Sequence, residues 1–378
     1  MQTINRNHSV FSGEDDLEPL HCFKKFPIFM GCVDVPQETD LLADMEWHIS
    51  RNSGSIQLNP LIPLDILYKE SHGAGCVGQL WDLHHQEFAA FISRYKPAAV
   101  LEIGGAHGIL AAKYQSSHDI TWAILEPNPS PTEGCKAEYI KGFFDDHFVL
   151  DDRFDTVVHS HVFEHIYEPR EFMRQLANSM GLGQRLIFSV PNMQVMLQRK
   201  YTNCINFEHT FLLTEQHIEY LLANNGFRVV DKHYFMADHS IFYSAVRDSA
   251  VEPRDLPADV YEHNKKLYLD YVAYHEALIR DINSRILSTD NPVYLFGAHV
   301  FAQYLLAFGL DSSKIICLLD NDVKKHGKRL YGTNLQVQSP KILSNDSNPV
   351  IILKAGVYNE EIKRDILENI NPGALFFE

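Results

Sequence analysis

Between residues 98 and 246, short apolar runs alternate with segments whose apolar residues recur every three or four positions. The runs predict strands at 98–103, 120–126, 138–141, 155–160, 185–190, 227–234 and 240–246. The recurrent segments predict helices at 108–115, 168–179 and 214–225, and the same spacing predicts one at 81–95 that leads into the first strand. Strands alternating with helices predict an α/β domain built on a doubly wound, mostly parallel seven-stranded sheet. Ligands on such sheets bind beyond the carboxyl ends of the strands. A Pro-rich stretch at 252 opens a long helix that continues to 287 with one apolar face. After it, "PVYLFGAH", "KIICLLDND", "LQVQ" and "PVIILKAG" predict a second, smaller α/β lobe. Before residue 80, "FKKFPIFMG" and "SIQLNPLIPLDILY" predict a small irregular lobe, and the polar, acidic residues 1–20 are expected to be a mobile leader. The expected division is 1–80, 81–250, a linker helix over 251–288, and 289–378.

Composition narrows the class. A chain of 378 residues is long for one core, which favours two or three domains. The apolar fraction of 45% and charged fraction of 22% are those of a globular protein. No apolar run reaches the roughly 18 residues of a membrane span, and the N-terminus lacks the basic-then-apolar order of a signal peptide, so a cytoplasmic location is expected. The formal charge of −16 argues against a nucleic-acid backbone binder, though a local basic pocket could still hold a small anion. The six cysteines form no CxxC and read as free thiols.

The candidate chemistry begins at "VLEIGGAHGIL", residues 100–110. Glycines in a strand–turn–helix let backbone approach a ligand near free N–H groups. Gly104, Gly105 and Gly108 do not match the GxGxxG of dinucleotide folds. A second acid, Glu126 in "WAILEPN", ends the next strand, where a carboxylate can accept both ribose hydroxyls. "FDTVVHSHVFEHIYEP", 154–169, carries His159 and His161 at the end of a further strand, and "GQRLIFSVPN" supplies another. In this order the landmarks resemble class I methyltransferases that bind S-adenosylmethionine. The resemblance implies a cofactor site of Glu102, Gly104, Gly105, Gly108, Glu126, Pro127, His159 and Phe143, with Phe143 or Phe144 over the adenine.

"YTNCINFEHTFLLTEQHIEYLLANNGFRVVD", 201–231, narrows this further. It resembles the sugar-nucleotide C-methyltransferases, in which a "YHEH"-type segment precedes a helix. "IQLNPLIPLDILYKESH", 56–72, is similar to the join between that family's N-terminal zinc lobe and its catalytic domain. The C-terminal segments follow the order of its Rossmann-like lobe. The resemblance implies a nucleotide-linked sugar as acceptor, with His209 as base, Glu208 orienting it, and His161 and Tyr68 (with His72 nearby) on the substrate side. A His with a carboxylate neighbour suits proton removal beside a carbonyl or from a hydroxyl. Three departures stand out. Asn206 replaces the tyrosine of the motif, His161 replaces an asparagine, and Ser50 and Ser53 stand where zinc thiolates belong, so no metal is expected. Rival readings are a methyltransferase of non-sugar small molecules, a nicotinamide oxidoreductase using "LFGAH", and an inactive cofactor-binding scaffold.

Overall fold

The computed structural model describes residues 2–68 and 78–378, so His72 and Cys76 lie outside the described residues. The N-terminal lobe contains an antiparallel sheet of β1 (Leu17–Pro27), β2 (Leu42–Ser50) and β3 (Ile56–Leu58). In the central domain, helix α1 (Gln79–Ser93) precedes β4 (Ala99–Ile103), α2 (Ile109–Gln115), β5 (Thr121–Glu126) and β6 (Glu138–Lys141). There follow β7 (Thr156–Ser160), α3 (Pro169–Ser179), β8 (Arg185–Pro191), α4 (Glu215–Asn224), β9 (Phe227–Phe235) and β10 (Ser240–Arg247).

These seven strands form one sheet in the order β9-β10-β8-β7-β4-β5-β6, with β10 antiparallel to both neighbours. Each predicted strand of this sheet is present within one or two residues of its expected limits. β4 is buried along its whole length, which is why it reads as a continuous apolar run rather than an alternating one. Register places Ile103 beside both Leu125 and His159. The carboxyl ends of β4, β5 and β7 therefore lie level, and their acids, glycines and histidines share one edge of the sheet.

Residues 2–20 are not a mobile leader. The Arg6 side chain, only 1% exposed, donates to the carbonyls of Tyr167, Leu58 and Thr210. Val10 and Phe11 are buried, and the Phe11 ring stacks on His217 at 4.2 Å between centroids. The apparent polarity of this stretch conceals one cation that satisfies three backbone acceptors at once. Hydroxyls organise the turn after β2. Ser50 donates to Asp16, while Ser53 is 2.8 Å from Ser9 and 3.1 Å from Ser55.

The N-terminal sheet also holds the central domain. Leu58 N–H donates to the Thr210 carbonyl and Leu212 N–H to that of Ile56, so β3 runs against residues 210–212. Helix α5 (Val260–Ser288) then leads to a five-stranded parallel sheet of β11 (Val293–Phe296), β12 (Ile315–Leu319), β13 (Val337–Gln338), β14 (Val350–Leu353) and β15 (Leu375–Phe377). The last strand was absent from the pattern expected of the sequence. Arg329–Leu330 pairs with Cys32–Val33, and the Arg329 guanidinium makes a two-pronged ion pair with the buried Asp40 at 2.7 Å. The first and last lobes are thus joined directly.

Candidate active site

The turn after β4 turns sharply because Gly104 and Gly108 adopt positive φ, +70° and +68°. A Cβ at Gly105 would meet the Glu102 carboxyl carbon and Ile124 at 2.8 Å, so the turn lies directly upon Glu102. The Glu102 carboxylate accepts from the Trp122 indole at 2.9 Å and is buried, which raises its pKa to about 7. Glu102 supports the turn from below. Glu126, 8% exposed at the end of β5, is held differently. One oxygen accepts the Ala106 N–H at 3.1 Å and the other the Asn128 N–H at 3.0 Å. Each oxygen keeps a further lone pair, so the carboxylate is a fixed acceptor at the crevice rim. Pro127 is half-buried beside it, and Phe143 is 56% exposed beyond β6. Phe144 packs on Phe148 and Phe172 instead.

His159 does not reach this crevice. Its ring stacks on Phe188 at 4.9 Å and meets Phe163 and Phe172, which leaves no surface to offer a ligand. It is a core histidine, contrary to the expected cofactor contact.

Two Phe-Glu-His triplets face each other on the neighbouring edge, residues 163–165 and 207–209. Thr210 N–H donates to the Glu164 carbonyl, and His165 Nδ1–H donates to the Glu208 carbonyl at 3.0 Å. Asn206 shapes the second triplet, its Oδ1 accepting the N–H groups of Glu208 and His209 at 2.8 and 2.9 Å. His209 Nδ1–H donates to the Cys204 carbonyl at 2.8 Å. The ring is therefore oriented by backbone, where the sequence reading expected Glu208 to orient it. Burial lowers the His209 pKa and takes that of His165 down to about 4, so both rings are neutral near pH 7.

His161 adopts positive φ, +52°, an uncommon conformation for a residue with a side chain. Its Nε2 lies 2.9 Å from Ser240 Oγ and its Nδ1 3.2 Å from Glu164 Oε1. Burial holds its pKa well below the usual imidazole value. The Tyr68 hydroxyl is made less acidic by burial first, and then by Glu208, Tyr167, Glu164 and Glu126. Its carbonyl accepts from Asn128 Nδ2 at 3.4 Å, so Tyr68 lies beside the end of β5 that carries Glu126. Tyr68, His161, Glu208 and His209 are brought together, and Glu164 and His165 complete the group. Those two were missed, although the repeated triplet was a visible signal.

The methyltransferase domain family matches residues 80–232. That span starts in α1, contains the glycine turn, Glu126, and both triplets, and ends in β9. Residues 80–232 are a methyltransferase domain. Its methyl donor is S-adenosylmethionine. No protein of curated function matches the chain. Among solved structures, an O-methyltransferase family protein from Burkholderia thailandensis is 15% identical with a TM-score of 0.37, over 46% of this chain. The chain spans only 57% of that protein's length. Magnesium protoporphyrin IX methyltransferase from Synechocystis, with bound S-adenosylhomocysteine, is 17% identical with a TM-score of 0.36, over 48% of this chain and 93% of its own. An N-methyltransferase from Bradyrhizobium japonicum is 14% identical with a TM-score of 0.35, over 45% of this chain and 97% of its own.

The donor set of the domain fits this cofactor. Glu126 offers a diol two carboxylate oxygens already fixed by backbone N–H groups. The half-buried turn at Gly104 and Gly105 brings backbone up to the same crevice. No helix among the described residues is long and apolar enough to cross a membrane.

Proposed function

We propose that the chain methylates a small-molecule acceptor, a sugar carried on a nucleotide, seated between the Glu126 rim and the two Phe-Glu-His triplets. In this reading Glu126 accepts the ribose hydroxyls, Gly104, Gly105 and Gly108 shape the turn under the methionine part, and Pro127 and Phe143 flank the adenine. Bound S-adenosylmethionine supplies a methyl group on a sulfonium, whose sulfur keeps the bonding pair when an acceptor atom attacks. The acceptor atom must lose a proton to become nucleophilic, and that step depends on His209. One observation carries the reading. Histidines that burial keeps neutral meet where the two triplets face each other, with ring centroids 5.1 Å apart, and Tyr68 meets Asn128 beside Glu126. A neutral imidazole can take a proton from a hydroxyl or a carbon acid. His161 and Tyr68 lie on the acceptor side, and Glu208 lines the same wall.

The test is an acceptor screen. The full chain is incubated with S-adenosylmethionine and a panel of nucleotide-linked sugars, and products are read by mass spectrometry. Gain of one methyl on a sugar is expected. A carbon acceptor should also exchange its acidic proton in deuterated solvent without methyl donor, whereas a hydroxyl acceptor leaves the carbon-bound protons in place. Methylation confined to non-sugar molecules would overturn the acceptor class.

A further inference from the structure

Glu164 sits in an unusual position for an acid. Its side chain is 1% exposed, and among the described residues neither carboxylate oxygen receives a hydrogen bond. His161 Nδ1 comes within 3.2 Å of Oε1 but lacks the alignment to donate. Buried carboxylates are ordinarily paired, because leaving one unpaired costs several kcal/mol. Beyond His161, two further imidazoles approach it. His165 Nε2 is 3.9 Å from Oε1, and one ring nitrogen each from His165 and His209 lies within 4.8 Å of a Glu164 oxygen and of each other.

The tautomers decide what those rings present. His165 and His209 each spend the Nδ1–H on a backbone carbonyl, of Glu208 and Cys204 respectively. A neutral imidazole with its proton on Nδ1 has a bare lone pair on Nε2. The same arrangement, with the far N–H held by a carbonyl, fixes the ring of a metal-ligating histidine. Two neutral imidazoles and a carboxylate without hydrogen bonds thus converge, Glu164 buried and both histidines half-buried. We propose that Glu164, His165 and His209 bind a divalent transition-metal ion. Two nitrogens and one carboxylate suit zinc, iron(II), cobalt or manganese, and three protein ligands leave positions open. Bond lengths of about 2.0–2.2 Å mean that the side chains draw together on binding. Where the acceptor side is as read above, an acceptor oxygen at an open position would be ionised near neutral pH, since a bound cation lowers the pKa of its oxygen ligands. The acceptor's proton would then pass to solvent, with His209 acting through the ion as a ligand in place of accepting the proton itself.

The test uses cobalt(II) on the full chain after dialysis against a chelator. One cobalt per chain, with visible d–d absorption, is expected. Glu164→Gln and His165→Ala should each weaken binding more than about 100-fold, since outer-partner losses alone cost 10–100-fold. Circular dichroism and a melt of both variants confirm that they remain folded. Failure of the wild-type chain to retain cobalt would overturn the site, as would equal binding by the folded Glu164→Gln chain. Neither readout uses S-adenosylmethionine or methyl transfer, so failure here is separate from failure of the proposed function.

Discussion

Glu126→Ala removes a carboxylate that does two things at once. It accepts backbone N–H groups from Ala106 and Asn128, at 3.1 and 3.0 Å, and in the proposed reading it offers the remaining lone pairs to the cofactor diol. Each hydroxyl donated to a charged acceptor is worth roughly 1.5–3 kcal/mol. Water entering the vacated crevice recovers part of that, and a net loss of at least about 1.4 kcal/mol corresponds to tenfold weaker binding. Ala106 is half-buried and Asn128 exposed, so water can replace their lost acceptor. Stability should therefore fall by no more than about 1–2 kcal/mol. Glu126→Gln keeps one oxygen acceptor without the charge and should lie between Ala and wild type. Calorimetric titration with S-adenosylmethionine gives the affinities, and a denaturant melt gives the stability. Affinities within twofold of wild type in both folded variants would refute the placement of the ribose at the end of β5.

Arg6→Met removes the charged donor from the carbonyls of Leu58, Thr210 and Tyr167, of which Thr210 keeps the Leu58 N–H, and should cost about 2–4 kcal/mol in chemical denaturation; a loss under about 1 kcal/mol would return residues 2–11 to the status of a loose leader. Asn206→Ala should lower turnover while leaving cofactor affinity unchanged, because its Oδ1 holds the N–H groups of Glu208 and His209; unaltered turnover would show that the turn needs no such support. Stability should fall as pH drops from about 6.5 towards 4. Burial keeps His165, His217 and His275 near a pKa of about 4 when folded, so the unfolded chain binds more protons in that window. Glu102, raised to about 7, acts in the opposite sense above about 4.5, where the folded chain holds its proton and stability is lost as pH rises. His239 and His299 are held near 4 and His159 near 3 in the same way, so the histidines outnumber the one carboxylate and set the sign. Denaturant melts that stay flat between pH 6.5 and 5 would contradict this balance.

The central sheet could be read from the sequence because its inner strands are buried on both faces. "AVLEI" and "WAILE" appear as apolar runs that each carry one acid at or next to the end, and the glycines after the first announce its turn. Other features depended on partners far along the chain. Arg6 looks like one more polar residue until the carbonyls of Tyr167 and Thr210 fold onto it, 161 and 204 positions away. The Arg329–Leu330 pairing with Cys32–Val33 involves two residues on each side, too few to generate a pattern. His159 was misjudged because two positions along a strand share a face, whereas the positive φ of His161 just past β7 turns its ring away from that of His159. One ring lies in the aromatic core, while His161, past the strand end, turns towards Glu164. Glu164 and His165 were overlooked because their significance rests on meeting His209 across two separate turns. Ser50 and Ser53 correctly drew attention to the N-terminal lobe, but nothing in the sequence indicated that Ser9 would join their hydroxyl network.

The central claim is that the triplet wall acts on the acceptor and leaves cofactor binding to the glycine turn and Glu126. It is tested most directly by measuring cofactor affinity and methyl transfer side by side in His209→Asn. Titration gives the affinity for S-adenosylmethionine, and single-turnover transfer to the acceptor found in the screen gives the rate. The account predicts affinity within about threefold of wild type and a rate reduced by about 10²–10⁴, the range for loss of a positioned acid–base group. Near-wild-type transfer, or a fall in cofactor affinity that accounts for the lost rate, would contradict it.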